Sequence, residues 1–122
     1  MRLESKWLEK LENFLIKKGY TKRQKGLVAY GGKNNGTVDL MATNEKNGKS
    51  IIIEIKNNPI HLIDLSHYLS LMKNIKEQCK KKDIKFFLLT CEYEISPIIK
   101  KMGKDRGVII ENINKFISRK RF

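Results

Sequence analysis

Residues 50–58 read SIIIEIKNN, and the placing of the two charges in this stretch decides the fold. Ile51, Ile52, Ile53 and Ile55 suit a buried strand, yet Glu54 and Lys56 stand one residue apart among them. Side chains alternate along a strand, so Ile51, Ile53 and Ile55 point one way and Ile52, Glu54 and Lys56 the other. Upstream, residues 36–42 (GTVDLMA) form a second apolar run, interrupted by Asp39. There Val38, Leu40 and Ala42 share the face opposite to Asp39 and Met41. Residues 44–49, NEKNGK, join the two runs, and Asn47-Gly48 is a strong hairpin signal. With Asn47 and Gly48 at the centre of a tight turn, Lys46 faces Lys49, Met41 faces Glu54 and Asp39 faces Lys56. Opposed residues lie roughly 5 Å apart on one face, so Asp39, Glu54 and Lys56 cluster at the end of the hairpin. A slip by one residue would turn Asp39 away.

The rest of the chain supplies layers for this hairpin. Leu3, Trp7, Leu8, Leu11, Phe14 and Leu15 recur at the spacing of an amphipathic helix, which Lys17, Lys18 and Gly19 suit as an end. A basic stretch, TKRQK, leads into a short strand at LVAY. A long helix is predicted from Ile60 to about Lys82, on Leu62, Leu65, Leu69, Met72, Ile75 and Cys79. IKFFLLT is nearly continuous in apolar residues and suits a strand covered on both faces. Ser96-Pro97 starts another helix, which Gly103 and Gly107 bracket at its end. GVII is a last strand, and INKFISRKRF adds a terminal helix with a cationic tail. The order predicts an α/β sandwich whose mixed sheet is antiparallel first and parallel after the long helix.

At 122 residues the chain is long enough for one domain, residues 1–122, with a core of its own. Its 26 Lys and Arg against 13 Asp and Glu leave a net charge of +13, which self-repels in a compact state. A polyanion is the default partner, nucleic acid first, and a solvated lysine-rich surface is the plainer reading. Cys79 and Cys91, the only cysteines, have no Cys or His spacing that would hold zinc and read as free thiols. The first residues, MRLESKWLEK, lack the apolar core of a signal peptide, and no run reaches the ~18 apolar residues of a membrane span. A soluble, intracellular (cytoplasmic) protein is expected.

Two carboxylates as close as Asp39 and Glu54 repel unless a cation lies between them. Converging acidic oxygens make a seat for Mg²⁺ or Mn²⁺. The Lys56 ammonium beside them can orient an attacking water or stabilise charge developing on a phosphate. These are the minimum parts for metal-assisted phosphodiester hydrolysis. The plainer reading is an exposed strand end with an ordinary ion pair, such as Lys56 with Asp39. Glu4 falls inside the apolar stripe of the first helix: either it has a partner in the site, or it is an exposed N-terminal acid favoured by the helix dipole. His61 and His67 do not share a helix face. Asp64 and Tyr68 could stand behind the site, although ordinary helix surface is the favoured reading for both.

Asp39, a hairpin, then Glu54-Ile55-Lys56 resembles the PD-(D/E)XK nuclease superfamily, whose restriction-endonuclease-like fold has an αβββαβ core. Thr37-Val38-Asp39 stands where that motif carries its proline. Glu4, spaced before Trp7, Leu8 and Leu11, is similar to the helix-one glutamate of archaeal Holliday-junction resolvases. The stretch FFLLTCEYEISPIIKKMGKDRGVIIENINKFI resembles the catalytic domain of Mrr-type restriction enzymes, as does GTVDLMA, although many of those carry Gln where this chain has Glu54. The resemblance implies Asp39 and Glu54 as metal ligands with the Ile55 carbonyl as a third, Lys56 as the catalytic lysine and Glu4 as a water-mediated ligand. It implies Lys22, Arg23, Lys25 and Lys33 as phosphate contacts on DNA. A Mg²⁺- or Mn²⁺-dependent endonuclease follows as the expectation. So small a chain leaves no room for a target-recognition domain, which favours junction or flap cutting by a homodimer. An Mrr-like restriction nuclease, an RNA-directed nuclease and an inactive DNA-binding or assembly subunit of the same fold are the alternatives.

Overall fold

The structure is a computed structural model describing residues 3–20, 22–29, 36–79 and 83–119, with side chains described for 6–20, 39–78 and 83–119. The elements run α1 (Leu3–Lys17), β1 (Lys22–Ala29), β2 (Gly36–Thr43), β3 (Ser50–Lys56), α2 (Leu62–Cys79), β4 (Ile84–Thr90), α3 (Pro97–Asp105), β5 (Val108–Asn112) and α4 (Ile113–Ile117). The strands form one sheet in the order β1-β2-β3-β4-β5. The first three are antiparallel and the last three parallel, as the order of hairpin and crossover helices requires. This is the predicted α/β architecture. β1 takes in the basic KRQK run as well as the apolar residues expected there, because an edge strand tolerates charge.

Period-two alternation divides the core between the two sheet faces. Leu40, Ala42, Ile51, Ile53, Ile55, Phe87 and Leu89 pack on one side against Trp7, Leu11 and Leu15 of α1 and Ile113 and Phe116 of α4. Met41, Ile52, Phe86, Leu88, Val108 and Ile110 pack on the other against Leu65, Tyr68 and Ile75 of α2, with Ile99 of α3 beside them. From Phe86 to Thr90 β4 is buried on both faces, which explains its nearly continuous apolar run.

One local reading is corrected. The reversal between β2 and β3 is a four-residue loop, Glu45 to Gly48, and not a two-residue turn. Asn44 N–H donates to the Lys49 carbonyl (2.8 Å) and Gly48 N–H to the Asn44 carbonyl (2.8 Å). The side-chain oxygens of Asn44 and Asn47 each accept from the N–H two residues on, at 3.0 and 2.9 Å, so both asparagines close Asx turns. Gly48 sits at φ +73°, as the last loop residue. α3 ends at Asp105 with Arg106 as its C-cap, between Gly103 within the helix and Gly107 at φ +87°, so the two glycines bracket its end as expected. Among the described residues no helix is long and apolar enough to cross a membrane.

Candidate active site

The four-residue loop moves the hairpin register by two. Thr43 pairs with Ser50, Met41 with Ile52 and Leu40 with Ile53, where the tight turn would have set Met41 against Glu54. A buried hydroxyl pair, Thr43 Oγ1 to Ser50 Oγ at 2.9 Å, holds this register at the loop end. An even shift preserves faces. Asp39 follows the parity of Met41, and Glu54 and Lys56 follow that of Ile52, so all three belong to the α2/α3 face. The same count makes Glu54, rather than Lys56, the strand position level with Asp39.

Among the described residues the β2–β3 ladder ends at Leu40–Ile53, although both strands continue beyond it. There the Asp39 carboxylate does the bonding: its Oδ2 accepts the Ile55 N–H at 2.6 Å. A charged acceptor makes this a strong bond, and it ties the strand ends together through a side chain. A strand residue sends its N–H and C=O toward the same neighbour, so the Ile55 carbonyl also faces the side from which Asp39 comes. Asp39 and Glu54 are half-buried.

Tyr68 lies beneath them and corrects the expectation of a helix-surface residue. It is only 2% exposed, its hydroxyl donates to the Ile52 carbonyl at 2.9 Å, and its ring meets Phe86 edge-on. Burial pushes the phenol well above the usual tyrosine range. The charge of Glu54 and, more weakly, that of Asp39 push the same way, with a backbone bond at Phe87 opposing. One buried hydroxyl thus senses both carboxylates.

Lys56 Nζ stands 3.9 Å from Asp64 Oδ1 on α2, at the outer limit of an ion pair, with a third of its side chain exposed. Asp64 also accepts the His61 N–H at 2.8 Å, the back-bond of an N-terminal helix cap, so it anchors the start of α2 and faces the site through Lys56. His61 and His67 are exposed. α1, which carries Glu4, covers the opposite sheet face; the Glu4 side chain lies outside the described residues. Lys22, Arg23 and Lys25 take register positions on β1 opposite Thr43, Ala42 and Leu40, and their side chains, like all of Lys33, also lie outside the described residues.

Two carboxylates and a backbone carbonyl are hard oxygen donors of the kind Mg²⁺ and Mn²⁺ prefer. Among the described residues no group of three or more His, Cys, Asp or Glu is poised as a metal cage.

No protein-family model and no curated sequence matches the chain. Solved structures do. The chain is similar to a repair endonuclease from Pyrococcus abyssi, with a TM-score of 0.57 and 16% identity over 86% of this chain and 46% of that one. It is similar to protein VC1899 from Vibrio cholerae, with a TM-score of 0.67 and 13% identity over 94% of this chain and 30% of that one. It is also similar to EndoMS, crystallised with double-stranded DNA, with a TM-score of 0.56 and 10% identity over 86% of this chain and 43% of that one. The chain therefore spans less than half the length of each of these three proteins. At such identities it is the fold alone that is shared, a restriction-endonuclease-like α/β fold with a mixed sheet flanked by helices.

Proposed function

We propose that this chain is a Mg²⁺- or Mn²⁺-dependent endonuclease acting on DNA, selective for junctions or flaps and working as a homodimer. The observation that carries the reading is the face shared by Asp39, Glu54 and Lys56 where the β2–β3 ladder ends and Asp39 takes the Ile55 N–H. Asp39 and Glu54 would hold the ion with the Ile55 carbonyl. When bound, such an ion polarises a phosphate oxygen and makes water more acidic. The Ile55 N–H keeps Asp39 aimed at the gap between the strands. Lys56, on a long and partly exposed stem, leaves Asp64 to hold the attacking water or meet charge on the phosphate. Lys22, Arg23, Lys25 and Lys33 contribute phosphate contacts, in keeping with the net charge of +13. Two relatives of this fold are a repair endonuclease and a protein crystallised on double-stranded DNA, which supports nucleic acid as the substrate.

Cleavage of linear duplex, single strand, flap and four-way junction in Mg²⁺ tests this. Asp39→Ala and Glu54→Ala should abolish cutting while leaving binding in EDTA within a few-fold. Lys56→Ala should lower the rate on the order of 10²-fold or more. Full activity in any of the three overturns the mechanism. The 3.9 Å approach of Lys56 to Asp64 favours a second reading, a DNA-binding subunit of the same fold that no longer cuts. Calorimetry with Mn²⁺ separates them: uptake that Asp39→Ala removes belongs to the nuclease.

A further inference from the structure

At the far edge of the sheet a second cluster lies level with the candidate site. Lys56 pairs with Thr90 and Thr90 with Asn112, so the end of β5 stands two strand spacings, roughly 10 Å, from the end of β3. A pocket of about 360 Å³ opens there, lined by Glu94, Pro97, Lys100, Glu111, Asn112 and Lys115 among others.

Its charges are unevenly matched. Glu111 is 1% exposed, and Arg119 donates to its Oε1 through both Nε (2.9 Å) and Nη2. Arg119 therefore neutralises the buried acid, whose Oε2 has no hydrogen-bond partner among the described residues. The Asn112 amide is taken by the Tyr93 carbonyl at 2.9 Å. Lys100 and Lys115 remain, exposed and side by side, with no ion pair among the described residues. The Lys115 charge, then partial desolvation, hold the Lys100 ammonium below the usual lysine range, while Glu111 pulls weakly the other way. Adjacent ammonium groups with no anion between them repel. α3 also brings its N-terminal end to the pocket at Pro97, adding a positive dipole end. Glu94 is the one exposed acid on the rim.

We infer that this pocket holds a second phosphate of the bound nucleic acid strand, between Lys100 and Lys115. The inference rests on the nucleic-acid reading above and extends it. Lys100 rides on α3, on the same sheet face as Asp39 and Glu54, while Lys115 rides on α4 of the opposite face, so the pocket straddles the β5 edge and a strand passing the candidate site meets it at that edge. A terminal phosphate monoester and an internal diester present the same oxygens to the two lysines.

The test is fluorescence anisotropy in EDTA over a salt series, comparing the unaltered protein, Lys100→Ala/Lys115→Ala, and a charge-matched control, Lys101→Ala/Lys104→Ala, on exposed positions of α3 outside the pocket. Losing one phosphate contact should reduce the slope of log affinity against log salt by about 0.9 on duplex. The control should change it by less than half as much. Equal loss on 5′-hydroxyl and 5′-phosphate duplexes identifies an internal phosphate, and loss confined to the 5′-phosphate duplex a terminal one. A pocket variant matching the control on both duplexes overturns the inference. EDTA keeps the result independent of hydrolysis: absent cutting in Mg²⁺ counts against the nuclease alone, and absent binding by the unaltered protein against nucleic acid altogether.

Discussion

Tyr68 joins the candidate site to the core beneath it, since its hydroxyl bonds the Ile52 carbonyl while its pKa responds to Glu54 and Asp39. Tyr68→Phe keeps the ring against Phe86 and removes the bond, so it should lose about 0.5–1.5 kcal/mol in urea unfolding at pH 8. The pH dependence has a definite sign. The folded phenol holds its proton to higher pH than the unfolded one, so its contribution is complete below the ordinary value near 10 and is lost as pH rises toward the folded value. The gap between wild type and Tyr68→Phe should therefore narrow above about pH 10. A gap that stays constant to pH 11 would mean that the phenol is not held neutral by its surroundings. Asp39 works by a different bond: its link to the Ile55 N–H replaces a ladder bond that β2 no longer supplies, so this acid has a structural task as well as a proposed chemical one.

Among the elements, α3 and β5 show how close packing dictates composition. A glycine inside a helix costs about 1 kcal/mol relative to alanine, yet Gly103 occupies the buried side of α3. A Cβ there would stand 2.6 Å from Ile110 Cδ1 and 3.1 Å from the Val108 carbonyl oxygen. The Ile110 methyl can rotate away, but the backbone oxygen cannot. Overpacking of this kind costs about 1–3 kcal/mol and outweighs the gain in helix propensity. Gly103→Ala should therefore lower stability by about 1 kcal/mol or more in chemical denaturation; a stabilised variant would refute the close approach. The β2–β3 hairpin has a corresponding device in Asn44, Asn47 and Gly48, which close a loop two residues longer than Asn-Gly alone suggests.

Across the molecule, 26 basic and 13 acidic side chains must share one small surface. Self-repulsion of that charge opposes the compact state, and salt screens it with a Debye length of about 10 Å at 0.1 M. In the absence of nucleic acid, raising NaCl from 50 to 300 mM should raise Tm by a few degrees, about 4 °C for each kcal/mol of repulsion removed. A Tm that falls with salt would mean that attractive ion pairs dominate the surface instead. The sheet also sorts its ends: in the parallel half, Lys56 of β3 and the lysine-lined pocket at β5 meet solvent along the same carboxyl-terminal edge, where ligands of open α/β sheets bind.

Local pattern was enough for the order of helices and strands, the double burial of β4, and the single face of Asp39, Glu54 and Lys56. Alternation and helical period are properties of neighbouring residues, and an even register shift leaves faces unchanged. The register between β2 and β3 was not legible, because the Thr43–Ser50 hydroxyl bond and two Asx turns outcompeted the Asn-Gly turn. Nor was the burial of Tyr68, which needs the Ile52 carbonyl sixteen residues away. The neighbourhood of Lys100 and Lys115 arises only when α3 and α4 close on either end of β5. Contacts between distant residues carry no periodic signature along the chain, so packing alone assigns them.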